Sequence, residues 1–223
     1  MKRQAKDAVY NQLAIITKAL SSPKRLEIIE LLCQGEKSVE TIAQQAMLEV
    51  KNTSAQLKEL KLANLVVSRR EGKFVFYRLA NNSVPELWRH LNLFAQEHVS
   101  ELQKIMTKSF SAPEALEHVN RKELLLKAKR KEIIIIDVRP SDEYETAHIP
   151  FALSVPANLL SKYLRTFPKD KEIVAYCRGH YCFLAIEAVE ALRRKGFKAT
   201  RLQDSVHDWE SHGLPLEGKS ISA

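Results

Sequence analysis

Four consecutive isoleucines, Ile133 to Ile136, set between Glu132 and Asp137, place the tightest limit on how this chain can fold. Side chains of a strand alternate between two faces, so a run that is apolar at every position must be covered on both. Such a strand belongs inside a parallel sheet flanked by helices. Two further segments fit the same layer, Glu172-Ile173-Val174-Ala175-Tyr176 and Lys198-Ala199-Thr200-Arg201-Leu202. Helical patterns lie around them at Lys122 to Lys129, Ala157 to Thr166 and Phe183 to Lys195. The alternation predicts an α/β unit whose ligands meet the carboxyl ends of its strands.

The first half reads differently. Val9, Leu13, Ile16 and Leu20 form a stripe at helical spacing, and Ser21-Ser22-Pro23 supplies a stop, a cap and a proline at the first position of the next helix. That helix runs to Cys33 and ends at Gly35, and Ser38 opens a short one with Val39, Ile42 and Ala43 inward. Val50 to Leu62 then carries Leu57 and Leu60 on one face, with Lys51, Asn52, Ser54, Gln56, Lys58 and Lys61 around it. From Leu65 the period changes to that of a hairpin with a charged tip, Arg69-Arg70-Glu71-Gly72-Lys73. Helices followed by such a hairpin describe a winged helix-turn-helix. A single long helix is expected from Ser83 to about Lys108, with Leu87, Leu91, Phe94, His98, Leu102 and Ile105 on a stripe that suits a dimer seam.

The run Leu20 to Ile29, then Ser38 to Ala43, Asn52 to Leu60 and the hairpin through Tyr77-Arg78-Leu79 resembles the ArsR family of bacterial repressors over residues 5 to 105. The resemblance implies a homodimer built by the first and last helices, with Val50 to Leu62 as the recognition element on double-stranded operator DNA. Lys51, Asn52, Thr53, Ser54 and Gln56 are then expected at the major groove, Arg69, Arg70 and Lys73 at phosphates, and Lys58 as a further DNA-binding residue. The charge agrees: of the net +8, residues 1–110 hold +6, with 17 Lys and Arg against 11 Asp and Glu.

In the second half, Tyr176-Cys177-Arg178-Gly179-His180-Tyr181-Cys182-Phe183 follows a strand and opens a helix. Converging amides of a tight strand-to-helix loop stabilise an anion, so a thiolate or persulfide at Cys177 is favoured there, with Arg178 adding charge. Together with Asp137-Val138-Arg139, Glu143-Tyr144, His148-Ile149-Pro150-Phe151-Ala152 and Trp209 to Pro215, this half resembles a single-domain rhodanese. The resemblance implies that Cys177 accepts sulfane sulfur from a donor as a persulfide and passes it to a thiol acceptor. It makes Arg178, Gly179, His180, Tyr181 and Cys182 the active-site loop, and Asp137 and Arg139 supports.

Three positions depart from the family pattern. Cys182 stands where many rhodaneses carry an arginine, Phe151 replaces a glycine, and Asp204-Ser205 replace a glycine pair. Loss of the arginine weakens the case for thiosulfate as donor. Cys182 reads either as a thiol that attacks a Cys177 persulfide or as a buried residue of the first helical turn. A related phosphatase fold needs arginine six positions after its cysteine, where this chain has Phe183.

Neither a metal nor a cofactor is expected. Ser38 to Gln45 lacks the cysteine pair of metal-responsive relatives, and His98-Val99-Ser100-Glu101 lacks upstream partners, Pro85 and Leu87 standing in their place. Cys33 reads as a core residue. No apolar run approaches the ~20 residues that span a bilayer, and Met1-Lys2-Arg3 leads into no hydrophobic segment, so a cytoplasmic protein is expected. The division predicted is 1–110 for the winged helix and 111–223 for the rhodanese-like domain, α+β followed by α/β. Two functions fit: a repressor whose rhodanese half couples reactive sulfur to gene control, and a sulfurtransferase whose winged helix serves localisation or dimerisation.

Overall fold

A computed structural model describes residues 2–110, 115–116 and 120–219. The chain forms two compact units, Met1–Asn92 and Leu93–Ala223. The first contains α1 (Lys2–Leu20), α2 (Pro23–Cys33), β1 (Lys37–Ser38), α3 (Val39–Gln45), α4 (Val50–Leu62), β2 (Val66–Glu71), β3 (Phe74–Leu79) and the start of α5 (Ser83–His98). Pro23 opens α2 behind an extended Ser22, and the Ser38 hydroxyl caps α3 by accepting from the Thr41 amide at 3.1 Å. β2 and β3 pair antiparallel from Val66 with Leu79 to Glu71 with Phe74, and Gly72 at φ +58° makes the turn. β1 adds to the other edge of β3. Ile28, Ile29, Ile42, Leu57 and Leu60 fill the core, with Cys33 packed against it.

The α1 stripe divides. Ile16 and Leu20 pack on the core, whereas Val9 and Leu13 are exposed, as are Leu87, Leu91 and Phe94 of α5. The long helix expected to Lys108 is two helices, α5 and α6 (Ser100–Ser109), broken at Val99 with φ −103° and ψ 94°. The Gln103 side-chain amide replaces the missing donors, reaching the carbonyls of Gln96 at 2.8 Å and Glu97 at 3.2 Å.

The second unit continues through β4 (Ala115–Leu116), α7 (Arg121–Lys129), β5 (Ile133–Asp137), α8 (Ser141–Thr146), β6 (Leu153–Ser154), a 3-10 turn at Ala157–Leu159, α9 (Leu160–Tyr163), β7 (Glu172–Tyr176), α10 (Leu184–Arg194), β8 (Ala199–Leu202) and α11 (Val206–Ser211). The sheet order is β4-β8-β7-β5-β6, with every neighbouring pair parallel. The isoleucine run is covered on both faces: Ile134 and Ile136 pack with Ala188, Val189 and Leu192 of α10, Ile133 and Ile135 with Leu124 and Trp209. The two-residue strands β1, β4 and β6 are too short to leave a pattern in the sequence.

The compact units divide at Asn92–Leu93 rather than at residue 110. The physical reason is that the end of α5 and α6 pack on the cysteine loop: Gln96 donates to the Tyr181 hydroxyl at 3.2 Å, and the Phe110 ring lies 4.4 Å from that of Phe183. Ser111, Ala112 and Pro113, read from sequence as the boundary, lie outside the described residues.

Candidate functional site

Strand β7 ends at Tyr176 and delivers Cys177 to the carboxyl edge of the sheet, where the residue is 1 % exposed. The chain turns through Gly179, whose φ of +122° suits glycine, and enters α10 at Leu184. A Cβ on Gly179 would lie 3.3 Å from that of Ser205, so the loop sits tightly on the start of α11. There Ser205 and Asp208 form a capping box, and Asp204 pairs with Arg121, which accounts for the polar residues standing in place of the glycine pair.

Beneath the loop lies a residue that the sequence did not single out. Arg201, on β8, donates from Nη2 to the carbonyls of Gly179 and His180, each at 3.0 Å, and from Nη1 to that of Phe110 at 2.7 Å. It is 1 % exposed, and its Nε has no partner. Among the described residues the groups that favour its charge are the thiols of Cys177 and Cys182, and burial pulls its pKa down. A cleft of about 270 Å³ opens beside it, lined also by Gln96, Gln103, Thr107, His180 and Gln203.

The two thiols are shifted in opposite directions. Burial pushes Cys177 well above the usual thiol range, against the depression expected for it from sequence. The depression falls instead on Cys182, down to about 6, chiefly through its neighbour Cys177, with the backbone amides of Arg178 and Leu184 adding to it and burial opposing it. The Cys177 sulfur also lies 3.5 Å from the Cys182 carbonyl oxygen. Both thiols are free, and Cys182 is half-buried.

Arg178 is not the free cation expected beside Cys177. Its guanidinium grips the buried carboxylate of Glu143 on α8, with contacts of 2.6 and 3.0 Å. Arg139 forks onto Asp137 and reaches the Ala147 carbonyl at 2.7 Å, with both side chains buried. Burial opposes the Arg139 charge, and Asp137 more than restores it. These pairs brace the strand ends without touching either sulfur. His148 stacks on Tyr144 at 3.7 Å.

On the first unit, Lys51, Asn52, Ser54 and Lys58 lie on the exposed face of α4, and Gln56 is half-buried. Gln56 donates to Asn52 Oδ1 at 3.1 Å and accepts from Arg25 at 3.2 Å, which fixes its amide. Thr53 is a correction: it is fully buried and donates to the Glu49 carbonyl at 3.0 Å, because the α4 face that packs inward includes it with Leu57 and Leu60. Arg69 also departs from expectation. It is held by Glu36 and Glu71 and covers the Phe76 ring at 4.6 Å. Arg70 and Lys73 are exposed at the hairpin tip. His98 lies 3.7 Å from Glu97, not against Glu101, which faces Lys104. Among the described residues no three His, Cys, Asp or Glu gather as a metal site, and no helix is long and apolar enough to cross a membrane.

Comparison with known proteins agrees with this division. Residues 22–68 match the model of the "bacterial regulatory protein, arsR family", and residues 120–212 that of the rhodanese-like domain. The HTH-type transcriptional regulator Rv0324 of Mycobacterium tuberculosis is 38% identical over 212 residues, spanning 95% of this chain and 93% of that protein. A sulfurtransferase of Allochromatium vinosum is 29% identical over 90 residues, 40% of this chain and 82% of that one. A solution structure of a winged helix-turn-helix domain (fragment 1-100) from Mycobacterium bovis is 40% identical, covers 42% of this chain and 87% of that one, and has a TM-score of 0.41. The chain belongs to the ArsR-family HTH-type transcriptional regulators that carry a C-terminal rhodanese-like domain.

Proposed function

We propose that the chain is a homodimeric repressor of operator DNA in which Cys177 accepts sulfane sulfur and thereby alters DNA affinity. The observation that carries this reading is the Cys177 sulfur itself. It is seated at the carboxyl end of a central strand, within a loop backed by the Arg201 guanidinium, in the same chain as an exposed recognition helix. Lys51, Asn52, Ser54 and Gln56 face base edges in this reading, and Lys58, Arg70 and Lys73 face phosphates. The exposed Val9, Leu13, Leu87, Leu91 and Phe94 form the dimer contact.

The test uses a duplex selected in vitro against the reduced full-length protein. The parent and Cys177→Ser are each titrated with it, before and after inorganic polysulfide. A shift confined to the parent supports the reading; a coupling of about 1.4 kcal/mol would show as tenfold in affinity. Identical behaviour of the two proteins removes the loop from sensing. It would favour the second reading, a sulfurtransferase with a winged helix for localisation or dimerisation, which the likeness to the Allochromatium sulfurtransferase also supports.

A further inference from the structure

The thiol that replaces the family's loop arginine has a chemical setting of its own. Cys177 is buried at 1 % exposure, and the thiol nearest to it in the loop sequence is that of Cys182, five residues on. Cys182 is already inside the loop, and the Cys177 thiol donates to its backbone carbonyl at 3.5 Å. A reactant held at that range replaces a bimolecular encounter by an intramolecular one. The Arg178 and Leu184 amides point at the Cys182 sulfur, so it is a thiolate near neutrality. The guanidinium of Arg201 holds the Gly179 and His180 carbonyls, which lie between the two cysteines in the chain.

From this arrangement we propose that Cys182 is the second working group of the loop: it takes the Cys177 proton as sulfur arrives, then displaces that sulfur as hydrogen sulfide by closing a Cys177–Cys182 disulfide. The inference rests on Cys177 as the sulfur acceptor. In the first step the Cys177 proton passes to the Cys182 thiolate, and the Cys177 thiolate attacks the outer sulfur of an anionic sulfane donor. With thiosulfate, the S–S bond breaks and sulfite leaves with the electron pair. In the second step the proton passes from Cys182 to the terminal sulfur of the persulfide. The Cys182 thiolate attacks the inner sulfur, the persulfide S–S bond breaks, and HS⁻ leaves. The sulfane sulfur is reduced to sulfide, and the two cysteine sulfurs are oxidised to the disulfide. No further oxidant is needed.

The experiment uses full-length protein, reduced, freed of thiol under anaerobic conditions and incubated with thiosulfate or, separately, glutathione persulfide. Released sulfide and the mass of the loop peptide are measured for the parent, Cys182→Ser and Cys182→Ala. In the glutathione persulfide arm, a no-protein control sets the background. The parent should release one sulfide per chain and yield a loop peptide lighter by two hydrogens. With thiosulfate, both Cys182 variants should keep a loop peptide heavier by one sulfur and release sulfide only after a thiol is added; with glutathione persulfide, whose leaving group is a thiol, they should release it more slowly than the parent. A parent that retains the persulfide as the variants do overturns the role of Cys182 and leaves Cys177 as acceptor. Absence of persulfide and of disulfide in all three proteins overturns both. The parent measurement needs no substitution, so a variant that folds badly does not obscure the result.

Discussion

The carboxylate of Glu143 on α8 is fully buried and holds both the Nε and Nη2 of Arg178, the residue that follows Cys177. One side of the sulfur loop is therefore fixed by an ion pair that spans 35 positions of sequence. Removing one member of a buried pair leaves the other unmatched in a poor solvent for charge. Glu143→Gln should lower the stability of the rhodanese-like domain by about 3–5 kcal/mol. Urea unfolding followed by the fluorescence of Trp209, in that domain's core, would check this against Trp88 in the first unit. An unchanged midpoint would mean that the pair contributes little.

The opposite shifts of the two thiols have a readable pH signature. Alkylation of Cys182 by a small reagent should rise with a midpoint near pH 6 and level off above it, while Cys177 stays slow through neutrality. In Cys177→Ala the neighbour that lowers Cys182 most is lost, so its midpoint should move upward. Peptide-resolved labelling across pH 5 to 9 distinguishes this from the opposite order, in which Cys177 labels first.

Gly179→Ala tests how tightly the loop is seated. The backbone there has φ +122°, and the new methyl would press on the Ser205 Cβ. Strain of about 1–3 kcal/mol is expected at such a position. Its outlet is displacement of the carbonyls held by Arg201, so sulfur loading of Cys177 should slow more than overall stability falls. Comparing the initial rate of persulfide formation with the thermal midpoint separates the two.

On the DNA-facing unit, Lys58→Ala and Arg70→Ala should each weaken binding to all sequences and reduce the salt slope by about one phosphate equivalent. Arg69→Ala should change the slope less, because Glu36 and Glu71 already engage that charge. Thr53→Ala should cost about 1 kcal/mol of stability through its lost hydrogen bond and leave base preference unchanged. Equal salt slopes for the Arg69 and Arg70 variants would reverse this assignment.

Local chemistry made much of this legible. The isoleucine run required a doubly covered strand, Ser22-Pro23 and Ser38 marked helix starts, and the Cys177 loop stood out because Arg178, Gly179 and His180 are poor core material. What stayed hidden depends on distant partners. Thr53 looks like a groove-facing residue until the packing of α4 sets its rotation. The break at Val99 is invisible in a stripe that continues on both sides, and depends on one glutamine amide reaching back to two carbonyls. Arg201 reads as a polar interruption of a strand, since nothing nearby in sequence shows three carbonyls converging on it. The lower thiol pKa lies at Cys182 because depth in the sheet edge, which spacing does not report, decides which sulfur keeps the proton.

A guanidinium is flat and stiff, and cannot alter the spacing of its own nitrogens. Arg201 uses that stiffness to tie Gly179 and His180, in the thiol loop, to the backbone of Phe110 just beyond α6. An added sulfur atom or a ring closed between Cys177 and Cys182 that shifts either loop carbonyl must rotate the plate or tear a bond from it. The third bond of that plate lies at residue 110, more than 65 positions away along the chain and at the tail of the helix that follows the Val99 break. The thiol loop and the backbone at residue 110 thus hang from one rigid side chain rather than from separate ones.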